Sequence, residues 1–220
     1  MADMHAPINY DKEPLRLFKS DFLEFFTHIH LETVLIIWTP VVAYFLMVAI
    51  QNYTVQTGQI SGRALAYIAF GFLLGLFLWT LAEYTLHRFV FHFRPRTPWQ
   101  ERVIFLFHGI HHAQPQCKTR LLMPPVVSIP VALIFYGFFY LSLAVLLRMP
   151  DEVAPTFAGF IAGYLVYDVT HYATHYWPMR RGFLKFLKRY HMQHHYKTPN
   201  QRFGVSSPLW DIIFGTKPAQ

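Results

Sequence analysis

The sequence predicts an all-α integral membrane fold: four transmembrane helices in two hairpins, with a cytoplasmic helical cap. Three observations carry this prediction. The chain is 54% hydrophobic and 18% aromatic with only 14% charged residues, too apolar for a water-soluble domain. Four apolar stretches are long enough to span a bilayer at about 1.5 Å rise per residue. The 19 Lys and Arg residues segregate to one side of those stretches. The length of 220 residues suits a single membrane-embedded domain.

Taken in order, the N-terminal stretch carries Asp3, Asp11, Lys12, Glu13, Arg16 and Lys19, which is not the pattern of a cleavable signal peptide. Leu15, Phe18, Phe22, Phe25, Phe26 and Ile29 recur at helical spacing, as in a helix lying in the membrane interface or packed on the cap. The spans follow at about 32–50, 64–84, 126–147 and 153–170. The last is short and becomes polar at Asp168 and His171, so it spans by leaning on its neighbours. Short connections, Gln51 to Arg63 and Arg148 to Pro155, close the two hairpins.

With both termini on one side, 17 Lys and Arg residues face Arg63 and Arg148 alone on the other. The positive-inside rule then places both termini and the long segments in the cytoplasm, at a bacterial inner membrane or an endoplasmic reticulum membrane. The net charge of +7 is accounted for by this topology and does not call for nucleic acid. A single cysteine, Cys117, excludes a disulfide framework and any cysteine-based zinc or iron–sulfur site.

Ten of the 13 histidines fall in four clusters: His87 with His92; His108, His111 and His112; His171 with His175; His191, His194 and His195. In a helix, positions i, i+3 and i+4 lie within an arc of about 100°, so each triplet projects from one face. His171 and His175 share a face in the same way. His87 and His92 are about 140° apart on an α-helix, which predicts that they serve different metals or straddle a helix end. His5, His28 and His30 fit surface or hydrogen-bonded roles. Ten imidazoles exceed what one zinc site uses, so the cap is predicted to carry a dinuclear histidine metal site; nitrogen ligation suits iron, zinc, copper or nickel. The clusters sit where the second and fourth spans leave the membrane, which suits a substrate whose chain lies in the bilayer. Glu83 and Asp168, one turn before His87 and His171, are expected to support the ligands by hydrogen bonding, as is Asp211 through tertiary contact.

With these motifs in place, residues 20–216 resemble the fatty acid hydroxylase superfamily, which includes the sterol desaturases, and within it the fatty acid 2-hydroxylase catalytic domain. The matching stretches are Glu83-Tyr84 through His87-Arg88-Phe89-Val90-Phe91-His92, and His108-Gly109-Ile110-His111-His112 followed by Arg120-Leu121-Leu122-Met123-Pro124-Pro125. Tyr167-Asp168-Val169-Thr170-His171 to His175, Lys188-Arg189-Tyr190-His191 to His195, and Phe203-Gly204-Val205 to Trp210-Asp211 complete them. The resemblance implies a di-iron centre held by all ten clustered histidines, with zinc as a substitute in purified protein. It further implies O2 as co-substrate and hydroxylation of a lipid acyl chain at the 2-position, whether free, thioester-linked or in a ceramide. The metal ligands would be the only catalytic groups of the protein. No His-Pro-Gly-Gly haem motif occurs, so no cytochrome b5 domain is expected and electrons would come from a separate cytochrome b5, ferredoxin or reductase. Relatives often carry an acidic residue in the loop where this chain has Gln116-Cys117-Lys118. Tyr172, Tyr176 and Tyr190 are candidates for the acyl path, and Arg120 for a carboxylate or lipid phosphate. The alternatives are a sterol desaturase or methyl oxidase of the same superfamily, and a metal-binding membrane protein without catalysis.

Overall fold

The computed structural model describes residues 8–11 and 13–218, so His5 and Lys12 lie outside the described residues. Regular structure among the described residues is helical. The helices are α1 (Asp21–Phe25), α2 (Leu31–Thr57), α3 (Gly62–Thr85), α4 (Pro98–Ile104), α5 (Ile110–Ala113), α6 (Pro125–Phe139), α7 (Val153–Tyr176), α8 (Gly182–Tyr196) and α9 (Leu209–Ile213). Turns of π-helix at Leu86–Phe91 and Phe105–Gly109 follow α3 and α4, and a third at Tyr140–Leu146 follows α6.

The stretches long and apolar enough to cross a membrane are Leu31–Val55, Gly62–Phe91, Lys118–Leu146 and Pro150–Tyr176. They contain most of the four predicted spans and lengthen each of them, because the helices continue past the apolar residues at one or both ends. Pro40 and Pro130 lie inside α2 and α6, where packing and local readjustment in a membrane helix re-satisfy the freed backbone groups. The weak fourth span is explained by burial: its apolar window is 67% buried, against 6% for Lys118–Leu146. A helix enclosed by others tolerates the polarity that lipid would not.

The chain divides into two compact units built from interleaved segments. One comprises Glu32–Thr80 and Pro125–Val166, the other the N-terminal segment to Leu31, Leu81–Pro124 and everything from Tyr167 onward. In the first unit α3 and α7 approach at glycines. A Cβ on Gly75 would lie 2.0 Å from the Thr156 carbonyl oxygen, and one on Gly159 would lie 1.9 Å from that of Phe72. Small residues permit this backbone approach. Aromatic edges fill the space around it, with Trp79 on Phe160 at 5.1 Å and Trp38 on Tyr164 at 5.7 Å between ring centroids. Tyr53 donates to Glu152 Oε1 at 2.9 Å.

In the second unit the expected amphipathic helix over residues 15–29 shortens to α1, capped by Ser20. The cause is Glu24, whose Oε2 accepts the backbone N–H groups of Leu17 at 3.0 Å and Phe18 at 2.8 Å and so holds that stretch out of helix. Phe22 and Phe25 are exposed. The segment before α1 is tied to the chain just after His112. Asn9 N–H bonds the Ala113 carbonyl at 2.8 Å, and the buried Gln114 accepts from Leu15 N–H at 2.8 Å and donates to the Glu13 carbonyl at 3.0 Å.

Candidate metal centre

The ten clustered histidines come together in the second unit as two groups of five. His87, His92, His108, His112 and His194 form one; His111, His171, His175, His191 and His195 form the other. The donor atoms within each group all lie within 4.8 Å of one another. Seven of the ten rings are buried, and His92, His112 and His175 are half-buried.

Helix geometry explains the sorting. In each H-x-x-H-H triplet the i and i+4 members, His108 with His112 and His191 with His195, enter the same group, and the i+3 member crosses to the other. His171 and His175 stay together by the same i, i+4 rule. Of the two expectations for His87 and His92, different metals or opposite sides of a helix end, the second fits: His92 caps the turn that contains His87, and the two share a group, with ring centroids 5.0 Å apart. The reason is the π-turn. His92 N–H bonds the His87 carbonyl at 3.0 Å, an i→i+5 closure that brings residues five apart to one face.

Imidazole Nε2 atoms converge within each group. His108 Nε2 is 3.1 Å from that of His87 and 3.0 Å from that of His112, and His194 is 3.1 Å from His92. In the other group His195 is 3.0 Å from both His111 and His191, His171 is 3.1 Å from His111, and His175 is 3.0 Å from His191. A metal–nitrogen distance of about 2.1 Å gives an edge of about 3.0 Å between ligands at right angles and about 3.4 Å in a tetrahedron. The five-nitrogen sets therefore fit a metal of higher coordination number than tetrahedral zinc. Burial holds His108, His111, His191 and His195 well below the ordinary imidazole pKa, and the charge of neighbouring imidazoles adds to it. Neutral imidazole is the ligating form. His112 and His195 stack at 4.2 Å, joining one group to the other.

The supporting hydrogen bonds run through backbone. His87 Nδ1 is 2.5 Å from the Phe203 carbonyl oxygen and His194 Nδ1 is 2.7 Å from that of Gln201. Glu83, expected to meet His87, instead accepts from Val205 N–H at 2.6 Å, Ser206 N–H at 2.8 Å and the Ser206 hydroxyl. Asp211 accepts from Phe203 N–H at 2.9 Å, Gly204 N–H at 2.7 Å and the Thr216 hydroxyl at 2.6 Å. With the Thr216 proton so committed, Tyr84 donates to Thr216 at 3.0 Å and itself accepts from Arg88 at 2.7 Å. Asp168 is fully buried one turn before His171. Gln201 and Phe203 escaped the sequence reading because a carbonyl contact has no residue-type signature; the carboxylates that hold their segment were visible.

Arg120 was expected to meet a carboxylate or a lipid phosphate, and it meets a carboxylate of the protein itself. It is buried, ion-paired with Glu24, and 3.1 Å from His28 Nε2, so its charge is answered within the protein. His28 Nδ1 lies 2.6 Å from the Thr119 hydroxyl oxygen, outside both metal groups, and His30 belongs to neither. Tyr190 is buried with Arg202 over its ring at 5.7 Å, and burial and nearby Asp211 push its phenol up. Tyr172 and Tyr176 pack on each other at 5.0 Å, half-buried, with the Tyr176 hydroxyl donating to the Pro115 carbonyl at 3.3 Å.

Four helices long and apolar enough to cross a membrane, with two five-histidine groups that could each hold a metal ion, define a multi-pass membrane protein with a candidate metal centre. Residues 72–216 match the fatty acid hydroxylase family. The chain is 37% identical to the dihydroceramide fatty acyl 2-hydroxylase FAH1 of Arabidopsis thaliana, over 98% of this chain and 84% of that protein. It is 36% identical to the human fatty acid 2-hydroxylase, over 97% of this chain and 58% of that one, so the human protein is substantially longer. Full-length scs7p, whose structure shows only the hydroxylase domain, superposes with a TM-score of 0.85 at 36% identity, over 98% of this chain and 76% of that one. The chain belongs to the fatty acid hydroxylase family.

Proposed function

We propose that this enzyme inserts one oxygen atom of O2 into the C–H bond next to the carbonyl of a fatty acyl chain, using two iron ions held by the ten clustered histidines. The observation that carries this reading is the pair of convergent five-nitrogen groups in a member of a hydroxylase family. Relatives named for dihydroceramide and ceramide hydroxylation support an acyl chain carried on a sphingolipid as the substrate. Bound iron would supply O2 activation, which protein side chains cannot. The balance requires two electrons and two protons: one oxygen atom becomes the hydroxyl and the other leaves as water. The electrons come from a separate donor, a cytochrome b5, ferredoxin or reductase.

The work left to the chain is to hold, orient and exclude. Neutral, buried imidazoles present Nε2 lone pairs without proton release. Phe203 lies against His87, His92 and His194, and Phe91 stacks on His108 at 5.2 Å; these rings keep water from one side of the ligands. Tyr172 and Tyr176, beside His171 and His175, line the acyl path. The distribution of Lys and Arg supports a cytoplasmic centre, at a bacterial inner membrane or the endoplasmic reticulum.

The test is lipid mass spectrometry of cells expressing the wild type or His195→Ala under 18O2, with metal analysis of both purified proteins. The expected result is one labelled oxygen at the acyl 2-position with the wild type alone, together with iron in the wild type. Label on a sterol, or unchanged acyl chains in wild-type cells with an active donor, overturns the assignment.

A further inference from the structure

The two groups have the same donors but different support. In the group of His87, two rings give their far nitrogen to carbonyls two residues apart, Phe203 and Gln201. The Phe203 ring lies 5.7, 5.5 and 5.8 Å from those of His87, His92 and His194. Between the two carbonyls Arg202 takes a left-handed φ of 61°, uncommon for a residue with a side chain. It is held there by its N–H on the Thr216 carbonyl at 3.1 Å and its guanidinium on Thr198. Glu83 and Asp211 then clamp the next residues through four backbone N–H groups. In the other group one ring, His175, bonds a carbonyl, that of Pro115, while the buried Nδ1 atoms of His111, His171, His191 and His195 have no protein acceptor among the described residues.

A ring that donates its far N–H is fixed in the tautomer whose Nε2 lone pair faces the metal, and it becomes a stronger donor. We infer that residues 201–206, clamped by Glu83 and Asp211, make the His87 group the tighter of two unequal metal sites, so that the protein loads its metals in order. This rests on the reading of the histidine groups as a metal centre. Glu83 and Asp211 are positioning residues here: they touch no imidazole, and act by fixing where two carbonyls point.

The experiment titrates metal-free, full-length protein in nanodiscs with zinc(II) against a chromophoric chelator. The wild type is expected to bind two equivalents in separate steps, at least about 10-fold apart, the lower end of what such supporting contacts contribute. His87→Ala removes the tighter step and His175→Ala the weaker, which assigns them. Glu83→Ala or Asp211→Ala weakens the tighter step by about 10–100-fold and leaves the weaker one in place. Glu83→Gln retains the wild-type steps, because its amide oxygen accepts the same two N–H groups and its NH2 can donate to the Ser206 hydroxyl. Asp211→Asn, whose NH2 cannot accept the second of the two N–H groups of Phe203 and Gly204, reports in the same way if an alanine variant does not fold. Two equal steps in the wild type, equal weakening of both steps in Glu83→Ala, or no effect in either alanine variant overturns the inference while leaving the metal centre standing. Failure of the wild type to bind zinc overturns the metal-centre reading itself.

Discussion

Imidazoles are weak bases that become metal ligands only when neutral, and this protein keeps them neutral by burying them. His108, His111, His191 and His195 all sit well below the ordinary value because burial penalises the charged ring. The sign of the pH dependence follows. Folded-state values below the unfolded value of about 6.5 mean that the folded site binds fewer protons, so its contribution to stability is complete above about pH 6.5 and is lost as pH falls. Bound metal strengthens that dependence, since protons and metal compete for the same lone pairs. Metal per chain after dialysis should stay constant from about pH 8 down through about 6.5, where a free imidazole would begin to compete, and fall only at lower pH as protons reach the folded rings. Loss of metal already complete near about pH 6.5 would show that the rings are not held as argued.

At the scale of elements, two devices matter. The π-turn at Leu86–Phe91 re-aims the end of α3 so that His87 and His92 act together, and a further π-turn at Phe105–Gly109 leads into His111 and His112. Such turns recur at functional sites because one extra residue rotates everything after it. In the other unit the contact of α3 with α7 depends on the absence of side chains at Gly75 and Gly159, where any Cβ would fall about 2 Å from a carbonyl oxygen of the facing helix. Gly159→Val should force the helices apart at a cost of at least about 3 kcal/mol, seen as a lowered thermal midpoint in detergent. Gly137→Ala, on α6 with nothing within 4 Å of the added Cβ, should leave it unchanged. Equal midpoints for the two variants would show that the close approach does not limit stability.

For the molecule as a whole the decisive feature is charge asymmetry across four spans, 17 basic residues against Arg63 and Arg148. In a Cys117→Ser background, Arg63→Cys and Lys217→Cys should react with a membrane-impermeant maleimide from opposite faces of sealed vesicles of known sidedness. Labelling of both from one face would break the four-span topology. Two of the histidine clusters lie at the C-terminal ends of the second and fourth candidate spans, and the other two follow those spans in the chain.

The sequence by itself determined the membrane class, the positions of the four spans and the ten histidines, because hydropathy and i, i+4 spacing are local properties that a reader can count. It also pointed to Glu83 and Asp211 as supporting acids. Tertiary structure decided what local periodicity cannot. The π-turn decided between the two readings of His87 and His92 and placed both in one group, since a switch of hydrogen-bond register leaves no mark in residue type. The ten rings were divided five and five only when α3, α5, α7 and α8 came together. Glu83 and Asp211 were found to reach the centre through the carbonyls of Gln201 and Phe203, and Arg120 to face Glu24. Each of these outcomes depends on which groups meet across long stretches of chain, and composition does not say which ones meet.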